Sequence, residues 1–371
     1  MEFTINRADL VRELALSQGV VEKKSTIPIL SNVLIEAEED RIVLTATDLE
    51  LGIRTACPAK VKKAGSGTIP AKKLMDYVRL LPEGEIVVKF GDNQWASLTC
   101  GKSKTRIAGM SRESFPELPE MPALIAQLPV KVLAGMIQRT IFSISAEESR
   151  FTLNGALLLV RPEGLVMVST DSHRLAAVEA PLELQLQNNE PFRALLPRKA
   201  MNELMKVAAE SAEGTMMSFA GDENHLFFQI GDRLLIGRKL TGNFPDYERV
   251  LPKEHANVIV LAKDVLRGSL ERVMQFSDER SRAIKFRAAD GEVTLHSSLS
   301  ETGESEETIT VDYNGAKVDI GFNAQYILDF LRAIDEPSVT FHFKDSGAAG
   351  ELRPAGDTNL KYRYVVMPMR I

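Results

Sequence analysis

Ser169-Thr170-Asp171-Ser172-His173-Arg174 places a hydroxyl, a carboxylate and an imidazole within six positions. A hydrolytic triad needs three groups converging from separate segments, whereas neighbours in an extended run alternate faces. The run therefore reads as a turn that presents His173 and Arg174 to a partner. The five histidines, at 173, 225, 255, 296 and 342, show neither HxxxH nor HxH spacing, so no metal site is expected. No GxxxxGKS or GxxxxGKT loop is present, and no GxGxxG follows a strand pattern. Gly65-Ser66-Gly67 reads as a short flexible turn. Cys57 and Cys100 lack CxxC spacing and a nearby histidine cluster, so they are expected reduced and buried or half-buried. With no catalytic residue, metal or cofactor to name, a binding or scaffold protein is favoured over an enzyme.

The elements that would carry such a surface repeat. Leu74, Tyr77, Val78 and Leu81 form a stripe at i, i+3, i+4, i+7, one face of an amphipathic helix. Met201, Leu204, Met205 and Ala208 repeat it, as do Ile327, Phe330, Leu331 and Ile334. Each stripe is followed by a strand-like run, at Ile86, Met216 and Val339. Pro70 and Pro197 fit a first helical turn, where no N–H is needed. An earlier helix precedes each copy: Leu10, Val11 and Leu14; Val132, Leu133, Met136, Ile137 and Thr140; Val265, Leu266, Leu270 and Val273. Copies about a third of the chain apart argue for tandem domains.

Strand patterns fill the rest, including 29–36, 153–160 and 307–313. Ser114–Pro122, with three prolines, reads as an extended linker, and Asn243–Pro252 as a second, sharing Phe-Pro with it. The expected domains are 1–122, 129–252 and 253–371, the third beginning near His255. Two helices plus roughly eight strands per repeat, with strands in consecutive runs, give an α+β fold of helices on antiparallel sheets. The start lacks a basic and apolar leader, and no apolar run reaches membrane-spanning length, so a cytoplasmic protein is expected.

The formal net charge is −6, yet the six expected helices together carry about +7, which leaves −13 elsewhere. Lys72, Lys73, Arg198 and Lys199 contribute to that excess. Either the helices share a face that attracts phosphates, or Lys and Arg simply occupy helix surfaces. Lys102, Lys104 and Arg106 form a basic edge in the first repeat, and Glu301, Glu304, Glu306 and Glu307 an acidic loop in the third. These suit a head-to-tail contact between two copies, or are unrelated solvated patches.

Thr47-Asp48-Leu49-Glu50, Thr170-Asp171-Ser172-His173-Arg174-Leu175, Phe244-Pro245-Asp246-Tyr247 and the terminal Val365-Val366-Met367-Pro368-Met369-Arg370 occur in an order and spacing that closely resemble the bacterial sliding clamp family. That resemblance covers the whole chain. It implies a non-catalytic processivity factor: a head-to-tail homodimeric ring, helices lining a hole around duplex DNA, and no tight grip on the phosphates. It also implies a cleft for short peptides of the DNA polymerase III alpha subunit, the clamp loader, other polymerases and repair proteins. The matching cleft positions are Leu153, Thr170, Ser172, His173, Arg174, Leu175, Pro245, Arg249, Val250, Tyr326, Val365, Met367, Pro368, Met369 and Arg370. Leu, Val, Pro and Met make an adaptable apolar groove, and Arg174 or Arg370 can pair with acidic residues of the peptide. The C-terminal methionines read without the family also fit a core strand. For DNA the matching positions are Lys24, Lys72 and Phe151-Thr152 beside Arg150, with Glu147 weakening that loop. At the joint between copies, Ile107 and Phe276 are the expected apolar partners.

Overall fold

The computed structural model describes all residues except 22–25, 92, 148, 188–189, 254–255, 300–302, 357 and 371. Lys24, Glu301 and His255 therefore lie outside the described residues. One order of elements recurs three times, with one additional strand, at Lys60–Lys63, in the first copy. In the first third, β1 (Glu2–Asn6) leads into α1 (Arg7–Val20), then β2 (Asn32–Glu38), β3 (Arg41–Thr47), β4 (Leu51–Pro58), β5 (Lys60–Lys63) and β6 (Gly65–Pro70). Next come α2 (Ala71–Leu80), β7 (Glu85–Phe90), β8 (Trp95–Cys100) and β9 (Ser103–Ala108). The second third runs β10 (Leu124–Pro129), α3 (Val130–Thr140), β11 (Gly155–Arg161), β12 (Gly164–Thr170), β13 (Arg174–Pro181) and β14 (Phe192–Pro197). It continues with α4 (Arg198–Ala209), β15 (Met216–Gly221), β16 (His225–Ile230) and β17 (Arg233–Arg238). The last third runs β18 (Asn257–Ala262), α5 (Lys263–Val273), β19 (Ala283–Ala289), β20 (Glu292–Leu299) and β21 (Gly303–Thr310). It ends with β22 (Val318–Asn323), α6 (Ala324–Ala333), β23 (Ser338–Phe343), β24 (Gly350–Pro354) and β25 (Lys361–Val366).

Every helix starts directly where a strand stops. Asn6 and Asn323 cap this junction, each accepting a backbone N–H of the first turn through its side-chain oxygen. Pro70 and Pro197 stand there as the last strand residue, not inside the first helical turn as expected, and Pro129 takes the same place in the second third. The strands leading into the helices were not expected, because a six-residue strand fused to a helix has no turn residues to announce it. Gly65-Ser66-Gly67 is likewise the start of β6, paired with β2, and no free turn. Its glycine is a packing device: a Cβ on Gly67 would stand 2.4 Å from the Phe90 ring.

The chain forms two compact units. The first (1–134, 185–188, 199–239) holds a five-stranded sheet ordered β5-β1-β7-β8-β9. It also holds an eight-stranded sheet ordered β10-β15-β16-β17-β4-β3-β2-β6. The second (135–184, 189–198, 240–371) holds an eight-stranded sheet ordered β14-β11-β12-β13-β25-β24-β23-β18 and a four-stranded sheet ordered β21-β20-β19-β22. The described pairings are antiparallel. Each eight-stranded sheet joins strands of two repeats, through β17 with β4 and through β13 with β25.

The apolar stripes face inward. Leu74, Val78, Leu81, Met201, Leu204, Ala208, Ile327, Phe330, Leu331 and Ile334 are buried, each worth about 1.5–3 kcal/mol for the larger side chains. Val265 departs from expectation: it is 50% exposed, and Ser269 takes the inward place. Several boundaries differ. Pro28–Ser31 and Phe151–Leu153 are 3-10 turns ahead of their strands. Glu304 lies in a strand, β21, and not in a loop; that strand spans 303–310, displaced from the expected 307–313. Both linkers are pinned by their phenylalanine. Phe115 is buried with Ile29, Leu30 and Leu34, and Phe244 with Leu157, Leu159 and Val168.

Candidate functional site

Two tight turns have the same wiring. In each a threonine hydroxyl donates to the carbonyl four residues on, Thr47 to Leu51 and Thr170 to Arg174. Asp48 Oδ1 accepts the N–H groups of Glu50 and Leu51, and Asp171 Oδ1 those of His173 and Arg174. Leu49 and Ser172 take the left-handed conformation, at φ 77° and 79°. Thr-Asp is thus a turn motif in which the side chains substitute for backbone partners. Ser169 is buried and donates to the Thr140 carbonyl, so no triad forms.

The second turn borders a pocket of about 250 Å³ in the second unit, lined by Thr170, Ser172, Arg174, Leu175, Pro245, Tyr247, Val250, Val365 and Met367. β13 supplies its floor through Leu175. β25 runs beside β13 and supplies Val365, which faces Leu175 across the pair. The Phe244-anchored segment supplies Pro245, Tyr247 and Val250 as the far wall. Val250 and Met367 remain 41% and 43% exposed, an apolar lip open to water. Met367 donates its N–H to the His173 carbonyl at 2.9 Å, and Met369 to the Gly321 carbonyl at 2.8 Å, so the tail is held in extended form across the sheet. A second cavity, of about 780 Å³, lies where Pro368, Met369 and Arg370 meet Lys285, Asp319 and Ser346. An open apolar pocket beside an extended tail can seat a short extended segment by one apolar anchor.

The expected cleft residues divide accordingly. Thr170, Ser172, Arg174, Leu175, Pro245, Val250, Val365 and Met367 line the first pocket, and Pro368, Met369 and Arg370 the second. Leu153 lies beneath, in the buried cluster with Leu175 and Val365. His173 contributes its backbone while its side chain is exposed. Arg249 pairs with Asp246 at 2.8 Å and lines neither cavity. Tyr326 acts through Arg174, whose guanidinium covers its ring. Tyr247, part of the Phe244-Pro245-Asp246-Tyr247 motif but not among the expected cleft positions, also lines the pocket.

Arg174 is not available to a peptide's carboxylates, as the sequence suggested. It donates to Asp171 Oδ2 at 2.9 Å, Asp329 Oδ2 at 2.6 Å and the Phe142 carbonyl at 2.7 Å. Burial lowers its pKa, but Tyr364, Asp329 and Asp171 outweigh that and hold it above the usual arginine range. Its role is to fix the turn.

The residues expected at nucleic acid are less uniform. Lys73 and Arg198 are exposed on α2 and α4. Lys72 pairs with Asp76 at 3.1 Å, and Lys199 with Asp48. Arg150 pairs with Glu147 at 2.7 Å and donates to Ser172 Oγ at 3.0 Å, so it braces the pocket turn. Phe151 is 71% exposed and Thr152 half-buried.

β9 lies at one edge of its five-stranded sheet and β21 at one edge of its four-stranded sheet. Lys102 and Lys104 are exposed, as is Arg106, which lies over the Trp95 ring at 5.1 Å. Ile107 departs from the exposed apolar position expected of it: strand alternation turns it into the core, opposite Ala96. Phe276 is half-buried near Gly303, and Glu304 faces His296 at 3.6 Å. Among the described residues no group of His, Cys, Asp or Glu is placed to hold a metal ion, and no helix is long and apolar enough to cross a membrane.

Comparison with known proteins covers the whole length. Residues 1–119, 127–246 and 248–370 match the N-terminal, central and C-terminal domains of the DNA polymerase III beta subunit. The beta sliding clamp of Pseudomonas putida is 35% identical over 378 residues, covering 100% of both chains. That of Chlamydia muridarum is 33% identical over 372 residues, covering 100% of this chain and 99% of the other. The crystal structure of a sliding clamp from Pseudomonas aeruginosa bound to griselimycin superposes with a TM-score of 0.94 at 32% identity, covering 100% of both chains.

Proposed function

The chain belongs to the DNA polymerase III beta subunit family, the bacterial sliding clamps, and from that membership we infer how its surfaces divide the work. It is a DNA polymerase processivity clamp and not itself a catalyst. In our reading three domains, 1–122, 129–252 and 253–371, form each subunit, and two subunits close head to tail in the cytoplasm into a ring around duplex DNA. The observation that carries closure is the pair of edge strands of opposite charge. β9 offers Lys104 and Arg106, and β21 offers Glu304 and Glu306, each with a backbone edge that no strand pairs among the described residues. Pairing β9 of one copy with β21 of the other would satisfy both edges and repeat around a closed assembly.

The excess of about +7 on the helices supports a lining that attracts phosphates without sequence preference, with Lys72, Lys73, Arg198, Lys199, Arg150, Phe151, Thr152 and Lys24 as the assigned DNA positions. The ion pairs of Lys72, Lys199 and Arg150 favour weak over tight attraction, which suits sliding. The apolar pocket is assigned to short peptides of the polymerase III alpha subunit, the clamp loader, and other polymerases and repair proteins.

The test is retention on DNA. The protein is loaded on nicked circular plasmid with a clamp loader, and the plasmid is then linearised. Release on cutting, at a salt concentration that leaves circles occupied, is the expected result. Equal retention on both forms would mean direct phosphate gripping and would refute the ring.

A further inference from the structure

A third cavity, of about 450 Å³, adjoins the apolar pocket on the other side of the Pro245–Tyr247 wall. Leu159 and Phe244 form its base, and Arg161, Arg193, Asp246 and Glu248 stand around it. Arg193 lies opposite Leu159 in the β11–β14 pair, and Arg161 is two residues beyond Leu159. Both guanidinium groups thus project from the same sheet face, on adjacent strands. Neither has an ion-pair partner among the described residues. Asp246 is committed to Arg249, which leaves Glu248, and Glu179 in register with Leu159 on the same sheet face, as the opposing charges.

Tyr247 ties this cavity to the apolar pocket. Its ring packs on the cluster under both, and its hydroxyl has no hydrogen-bond partner among the described residues. Burial raises the phenol's pKa, with Glu248 and Glu179 adding to the rise and Arg161 and Arg193 opposing it. Two forks of N–H donors and one O–H thus surround a space with an apolar base. That donor set fits a carboxylate, which takes guanidinium groups bidentately.

We propose that the Arg161–Arg193 cavity is an acidic-residue subsite of the peptide cleft, receiving an Asp or Glu side chain of the partner segment whose apolar anchor fills the pocket at Leu175. The proposal rests on the cleft reading above. It specifies what a partner must carry beyond its anchor, and where. Leu159 and Leu175 share one sheet face, two strands apart and offset by four residues, which is roughly 16 Å or about five residues of extended chain.

Fluorescence anisotropy on the full-length protein tests this. The probes are fluorescein-labelled synthetic peptides with a Leu-Phe anchor in a Gly-Ser background. They carry either a Glu pair or a Gln pair about five residues from the anchor, placed on the N-terminal side in one set and on the C-terminal side in the other. A Glu peptide of one set is expected to bind on the order of tenfold tighter than its Gln counterpart at low salt, with the preference shrinking at high salt. Arg161→Gln with Arg193→Gln is expected to erase the preference and leave Gln-peptide affinity unchanged, while Glu248→Gln enlarges it. Equal affinities of Glu and Gln peptides for the unaltered protein in both sets would overturn the proposal, as would a preference that survives in the double variant. If no peptide binds, or Met367→Ala binds every peptide as well as the unaltered protein, the cleft reading itself fails and the subsite with it.

Discussion

The guanidinium carbon of Arg174 lies 4.3 Å from the centroid of the Tyr326 ring, which brings the β12–β13 turn against the start of α6. The same group reaches Asp329 on that helix and Asp171 in its own turn. An arginine so placed sets the position of the residues on either side of it, Ser172 and Leu175, which line the apolar pocket.

Arg174→Ala would remove the cation shared by Asp171 and Asp329 in a half-buried site, leaving Asp329 to Gln325 and Arg332 and Asp171 to the N–H groups of its own turn. Because the two carboxylates keep those partners, the cost is on the order of 1–3 kcal/mol, below that of an uncompensated buried charge, and this loss should appear in urea unfolding. Arg174→Lys restores the charge but not the planar fork, so only part of the loss should return. Peptide affinity should fall in both variants. Unchanged stability in Arg174→Ala would refute the positioning role.

The tail after Val366 is a separable part of the site. Met367 and the residues beyond it contribute walls to two cavities, while β25 ends at Val366 and keeps its pairing with β13 and β24. Truncation after Val366 should therefore cost peptide binding at least about tenfold, the order expected for loss of an apolar anchor wall. The oligomeric state by analytical ultracentrifugation should not change. His173→Ala alone should have little effect, since the turn uses the His173 backbone. Dissociation of the truncated protein would make the tail structural.

Much of this site could be read in the sequence, and the unreadable parts share a cause. Thr47-Asp48 and Thr170-Asp171 announce their turns because the bonds involved span four residues or fewer. The neutralisation of Arg174 depends on Asp329, 155 positions away, and no local pattern reveals it. Pro245 and Val250 are expected in the cleft from the resemblance, but that Tyr247 joins them depends on how the fold packs that segment on the cluster of Leu159 and Leu175, which no local pattern reveals. Ile107 is different. It follows Arg106 on β9, so the period of two that turns Lys104 and Arg106 outward turns it inward, and only the resemblance places it at the joint between copies.

Lys102→Glu with Lys104→Glu should weaken self-association on the order of tenfold at low salt, since exposed pairs are worth under about 1 kcal/mol each. The effect should fade as salt rises. Glu304→Lys introduced with them should recover part of the association if β9 meets β21. Sedimentation velocity over a concentration series reads all three. An unchanged dimer at low salt would dismiss the charge pairing, and recovery absent from the triple variant would dismiss the partner strand.

Cys57 gives a pH dependence with a definite sign. It is buried on β4 in the first unit's core. Burial, assisted by Glu13 and Asp9 and opposed by Arg12, pushes its thiol up to about 12. The unfolded chain would lose that proton near the ordinary thiol value of about 8.5. Above that value the unfolded state binds fewer protons than the folded one, so stability falls with rising pH until the folded thiol also ionises. The contribution is therefore complete below about pH 8.5 and is lost between there and about 12. Within that window Cys57→Val should show a stability slope shallower by about 1.4 kcal/mol per pH unit, the worth of one proton, in urea unfolding at a series of pH values. The native thiol should also resist a disulfide reagent at pH 8 and react once the protein is unfolded. Parallel slopes for the variant and the unaltered protein would mean that the thiol titrates alike in both states, and that its burial does not govern alkaline stability.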